Sequence, residues 1–116
     1  MRVIAIALFV LVAGCARVPS VSQAEALAIE AAANSLLSTT DARDVSQSEW
    51  PEEFRVLDPE AVRLRPEGLY VVTSSWFSEE AGLFVPRQPA AFSPMVGSDP
   101  EYRSMHGHVY SYRIRG

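Results

Sequence analysis

Hydrophobic positions along this chain fall into stretches of different period. Val3 to Val12 is an unbroken apolar run, preceded by Arg2 and closed by the small residues Ala13 and Gly14. From Ser22 the spacing becomes helical: Ala26, Ile29, Ala33, Leu36 and Leu37 define one apolar stripe, which predicts an amphipathic helix to about Thr39. Ser22-Gln23-Ala24-Glu25 matches the capping box, in which the serine hydroxyl and the glutamate carboxylate each satisfy the other's backbone N–H. Glu30 and Asn34 lie on the wetter side of the helix. Ser38-Thr39-Thr40-Asp41 offers competing side-chain hydrogen bonds and ends it.

Residues 41–59 read as a polar connection whose Trp50-Pro51 and Asp58-Pro59 pairs mark turns, because proline disfavours helix at the preceding residue. Trp50 and Phe54 are expected to fold back on the core as a lid. Val62-Arg63-Leu64-Arg65 alternates apolar with charged, the period of a half-buried strand. After the turn cluster Pro66-Glu67-Gly68, Leu69 to Phe77 is dense in Val, Thr and aromatic residues and is the strongest strand signal. Ser78 to Gly82 reads as a turn and Leu83-Phe84-Val85 as a short strand ended by Pro86. A long loop, about 87–103, carries Pro89, Pro94, Gly97 and Pro100; loops of this length are usually functional or disordered. The closing strand is His106 to Arg115, with His108, Tyr110, Tyr112 and Ile114 on an aromatic face and Ser111, Arg113 and Arg115 on a solvated one. The order predicts an α+β fold: one N-terminal amphipathic helix packed on a small antiparallel sheet of about four strands. In element order it resembles the cystatin-like arrangement, which implies a fold and no function.

The first run is shorter than the roughly 20 apolar residues of a spanning helix. One arginine ahead of it and small residues behind it fit a secretory signal. Val12-Ala13-Gly14-Cys15 resembles the bacterial lipobox, whose cysteine is acylated and whose peptide bond is cut just before that cysteine. The resemblance implies a cleaved signal peptide at residues 1–14, with cleavage between Gly14 and Cys15. It further implies a lipidated tether at 15–21, leaving 22–116 as a single α+β domain. Its first partner is then the lipid bilayer, held through acylated Cys15, since several acyl chains on one residue anchor far more firmly than one. Ala16 stands where an aspartate would resemble an inner-membrane retention signal, so the implied location is the periplasmic face of the outer membrane.

Composition narrows the function classes. The chain has 116 residues and a formal net charge of −4, and loss of Arg2 with the leader makes the mature protein more acidic still. That balance argues against nucleic acid, which calls for a basic face. All the basic residues are arginine, a trait read as base composition of the genome and not as function. With Cys15 acylated, no thiol remains for a disulfide, a metal or a nucleophile.

Candidate chemistry is sparse. His106-Gly107-His108 would place two imidazoles on one face of a regular strand, a weak candidate for a zinc site that lacks a third ligand of telling spacing. Ser104, His106 and Asp99 supply the residue types of a catalytic triad, but no glycine-flanked nucleophile elbow surrounds any serine. Glu79-Glu80 supplies two carboxylates that, as neighbours in a turn, are expected to be solvated. Trp76, Phe77, Phe84 and Phe92 gather near the central hairpin, with alternation sending Trp76 and Phe77 to opposite faces. Aromatic residues and arginine are enriched where proteins meet, which makes Trp76, Arg87, Phe92 and Arg103 the candidate partner contacts. The expectation is therefore a membrane-anchored periplasmic lipoprotein, with no cofactor and no catalytic group, acting as a binding or envelope-accessory module on another envelope protein. The alternatives are an inhibitor of an envelope-attacking hydrolase and, behind it, a small metal-dependent enzyme.

Overall fold

The structure, a computed structural model, describes residues 18–39 and 41–116. The expected leader and the Gly14–Cys15 cleavage and lipidation pair lie outside these residues. Helix α1 spans Gln23–Leu37, and the capping box forms as its sequence requires. Ser22 Oγ accepts from the Glu25 N–H at 3.1 Å, while Glu25 Oε1 accepts from the Ser22 N–H at 2.7 Å. The hydrogen bond from the Ser22 backbone, with that from its side chain, holds the Glu25 carboxyl below its ordinary range. Val21 and Ala26 are buried in the same cluster, at the two positions of a hydrophobic staple that fixes the chain's entry angle. The hydroxyls of Ser38 and Thr39 return to the Ser35 and Leu36 carbonyls and close the last turn. The expected stripe is the buried one, with Leu36 at its half-buried margin.

Among the described residues the sheet has six antiparallel strands, not about four. They are β1 (Arg43–Asp44), β2 (Ala61–Leu64), β3 (Gly68–Trp76), β4 (Glu79–Pro86), β5 (Glu101–His106) and β6 (Val109–Ile114). Their order is β1-β2-β3-β4-β6-β5. β1 escapes sequence reading because two residues carry no period; it pairs with Arg63 and Leu64. β4 begins before the expected turn ends. The reversal is made by Phe77 and Ser78 alone, and Glu79 to Gly82 are already paired with β3. Gly82 reads as a turn residue, yet its role is close approach: a Cβ there would collide with the Val71 carbonyl oxygen beside a bulge at Thr73. The expected closing strand, His106 to Arg115, is β6 alone, because Gly107, at φ 56°, turns the chain between His106 at the end of β5 and Val109. The loop before it shortens accordingly, since Glu101 to Arg103 belong to β5.

The sheet buries both faces. On one, Leu69, Val71, Leu83, Val85 and Val109 meet α1 together with Val62, Leu64, Val45 and Phe54. Phe54 sits on a single helical turn, α2 (Glu52–Arg55), and is fully buried; Trp50 packs beside it and donates its indole N–H to the Val45 carbonyl at 3.0 Å. The expected lid is therefore part of the core. On the other face Tyr70, Phe84, Tyr110 and Tyr112 form a second cluster. Ser111, expected in solvent, is buried because odd positions of β6 share the face of α1.

One sheet margin is two residues long and the other is covered at its start. β1 is one margin; at the other, the Tyr102 N–H of β5 donates to the Met95 carbonyl at 2.9 Å. The two ends of the sheet also differ. At one lie the Phe77–Ser78 turn and the close of β6, tied by the Ser78 hydroxyl on the Arg115 carbonyl and by the Arg115 N–H on Asp99 Oδ1 at 2.8 Å. The incoming segment Val18–Ser20 borders a groove with Thr73 and Ser74 near that same end. At the opposite end lie the β2–β3 turn, the Gly107 turn and the C-terminus of α1.

Candidate functional site

The sheet face away from α1 presents the richest arrangement of polar groups. Even-numbered residues of β3, β4 and β6 point there, so alternation alone brings Tyr70, Phe84, Tyr110 and Tyr112 together. Tyr70 lies 4.7 Å from Phe84 and 5.0 Å from Tyr112, ring centre to ring centre. The loop after β4 lays Phe92 over them, 5.1 Å from Phe84, 5.2 Å from Tyr102 and 4.9 Å from Tyr110. Beside this cluster opens a cleft of about 270 Å³ bordered by Arg63, Arg65, Glu67, Tyr70, Glu80 and Tyr102.

Hydroxyls in the cleft run into carboxylates. The Tyr70 hydroxyl donates to Glu67 Oε2 at 2.9 Å and lies 2.7 Å from the Tyr102 hydroxyl. A phenol has one proton, so the Tyr102 hydroxyl is the donor in that pair and the order runs Tyr102 to Tyr70 to Glu67. On the other side of the cleft Glu80 Oε1 takes an Arg63 guanidinium N–H at 2.9 Å, while its Oε2 accepts from the hydroxyl of Tyr112, buried behind it, at 2.8 Å. Burial, reinforced by these carboxylate contacts, pushes the Tyr70 and Tyr112 phenols far up. Burial raises Tyr102 as well. All three therefore remain protonated at neutral pH and serve as hydrogen-bonding groups, not as proton acceptors. With two guanidiniums at the rim and aromatic rings below, the cleft is suited to recognising a polar or planar group.

The residues singled out by sequence separate into different roles. Phe92 covers the aromatic face. Arg87 is not an exposed contact: its guanidinium donates to the Leu37 and Thr39 carbonyls, each at 2.9 Å, and to the Arg65 carbonyl at 3.1 Å. It ties the end of α1 to the β2–β3 turn. Arg103 is exposed and pairs with Glu101 at 3.3 Å. Trp76 is 47 % exposed and Phe77 92 %. They do not take opposite faces: Phe77 leaves the strand at φ 55°, and the rings meet edge to face with centroids 4.7 Å apart.

The histidines flank a turn. His108 receives Glu30 at both its backbone N–H (3.2 Å) and Nδ1 (3.1 Å), so Glu30 is a turn clasp and not a solvated helix residue. Among the described residues no group of three or more His, Cys, Asp or Glu is placed to hold a metal. Asp99 is taken up by the Arg115 N–H, and no hydrogen bond joins it to Ser104 or His106 among the described residues. Glu79 and Glu80 are neighbours within β4, where Glu80 alone is bonded to Arg63 and Tyr112. Comparison with family models, with curated proteins and with solved structures finds no match.

Proposed function

We propose that this chain is a lipoprotein anchored through acylated Cys15 to the periplasmic face of an outer membrane, and that its domain binds another envelope protein without transforming it. The anchor rests on the lone cysteine, the apolar run before it and the small residues between them. The binding role rests on one observation: the Tyr70 and Tyr102 hydroxyls lining the cleft, and the Tyr112 hydroxyl buried behind Glu80, are bonded to one another or to carboxylates, in their protonated form. Such a set is preorganised for recognition, since its side chains need not be ordered on association. Catalysis would ask for a group poised to take up a proton near neutral pH.

The test has two parts. Intact mass of the protein recovered from membranes should exceed that of the polypeptide from Cys15 onward by the acyl groups, and Cys15→Ala should release the chain from membranes. A photocrosslinking residue at position 102 or 92 should then join a resident envelope protein in living cells. Soluble hydrolases as the crosslinked species would shift the reading to an inhibitor. Absence of any discrete product from either position would remove the binding role.

A further inference from the structure

Large hydrophobic side chains left exposed among the described residues are unevenly placed. They are Val18, Leu27, Val56, Trp76, Phe77, Met95 and Val96. Leu27 and Val56 belong to the helical side. Val18 borders the groove with Thr73 and Ser74, two strand positions before Trp76. Met95 and Val96 project from the loop held to the same region by the Gly97 N–H on Glu101 Oε2 at 2.8 Å and by Asp99 on Arg115.

The turn itself is built against local preference. Two-residue hairpin loops favour Gly, Asn or Asp where φ is positive. Here a phenylalanine holds that position, at φ 55° and 92 % exposed. A bulky residue with φ above zero is a conformational outlier, and this side chain gains almost no burial in return. Its indole neighbour stacks on it at the apex of the hairpin.

We infer that the Trp76–Phe77 apex inserts into the headgroup–acyl boundary of the bilayer that holds the anchor. The inference rests on the anchoring proposed above. Its occupant follows from chain length: two residues, Ala16 and Arg17, separate Cys15 from Val18, three steps or at most about 11 Å of extended backbone, and Ser74 to Phe77 covers about 10 Å. An acylated Cys15 thus keeps the apex within reach of the membrane surface, where tryptophan is favoured because its ring is apolar and its N–H is wet. Arg103, Arg113 and Arg115 line the 230 Å³ hollow beside Val18 together with Glu101, which pairs with Arg103 and Arg115, so the hollow keeps a positive balance that suits anionic headgroups.

The experiment uses the full acylated protein in phosphatidylethanolamine–phosphatidylglycerol vesicles, with intact mass measured on the same sample. The chain has two tryptophans, so Trp76→Phe, a change on the surface, isolates the signal of Trp76 by difference. Expected is a blue-shifted Trp76 emission that falls at least twofold when the acyl chains carry bromine near the headgroup. Phe77→Asn should weaken that quenching while leaving the fold intact. An acylated protein whose Trp76 emits as in water overturns the inference and leaves the anchor standing. A blue shift without bromine quenching also overturns it, because the apex then lies in a protein contact. A mass equal to the bare polypeptide overturns anchor and inference together.

Discussion

Phe77 shows how a single residue separates stability from role. Left-handed backbone costs an ordinary L-residue about 1–2 kcal/mol, whereas asparagine tolerates it through its short polar side chain. Phe77→Asn is therefore expected to raise the unfolding free energy by about 0.5–1 kcal/mol, read as a higher denaturant midpoint with an unchanged slope. The tyrosines of the open face make a second residue-scale case. Folding raises the Tyr70 and Tyr112 phenols above their ordinary value of 10.0. The stabilisation is thus complete below about pH 10 and is lost as pH rises past it, because only the unfolded chain ionises readily there. In a Tyr110→Phe chain, phenolate absorbance and loss of circular dichroism should rise together in alkali; phenolate appearing while that chain is still folded would contradict the burial of Tyr70 and Tyr112.

Between elements, the main tie is Arg87. One guanidinium reaches the carbonyls of Leu37, Thr39 and Arg65, and a cation at a helix C-terminus is favoured by the dipole as well. Arg87→Ala should destabilise by about 2 kcal/mol, in the lower part of the roughly 1.5–3 kcal/mol that a hydrogen bond to a charged group contributes net, because the guanidinium is only half-buried. A denaturation curve that matches the parent would refute the tie. This residue also marks where sequence reading stops. Helix α1 is legible because its cap, stripe and terminator are local and agree with one another. β3 is legible because aromatic and β-branched residues leave no other reading. The strand segments missed are those whose evidence lies across the sheet: Glu79–Gly82, the first half of β4, has the composition of a turn, yet Glu80 is fixed by Arg63 from β2 and Tyr112 from β6. Tyr102, hidden in an expected loop, joins the cleft only when β5 pairs with β6. Alternation did place Tyr110, Tyr112 and Ile114 on one face, and it failed at Phe77 because the chain had already left the strand.

At the scale of the molecule, contacts divide by direction. One end of the sheet carries the incoming chain and the aromatic apex, and one broad face carries the tyrosine cleft beside the aromatic cluster that Phe92 covers. Photocrosslinking residues at positions 77 and 92 should consequently give different products in cells, lipid from the first and protein from the second. Identical products from both would collapse the division.

The bond from the Tyr102 N–H to the Met95 carbonyl has a bearing on crowding. Proteins tethered to a surface meet their own copies at high density in two dimensions, with diffusion confined to a plane. A bare outermost strand under those conditions is a template for fibre growth, because its amides invite a second chain to register alongside. With its own loop on the Tyr102 amide at the start of β5, and with β1 kept to two residues, the fold shortens the edge along which a second chain could register.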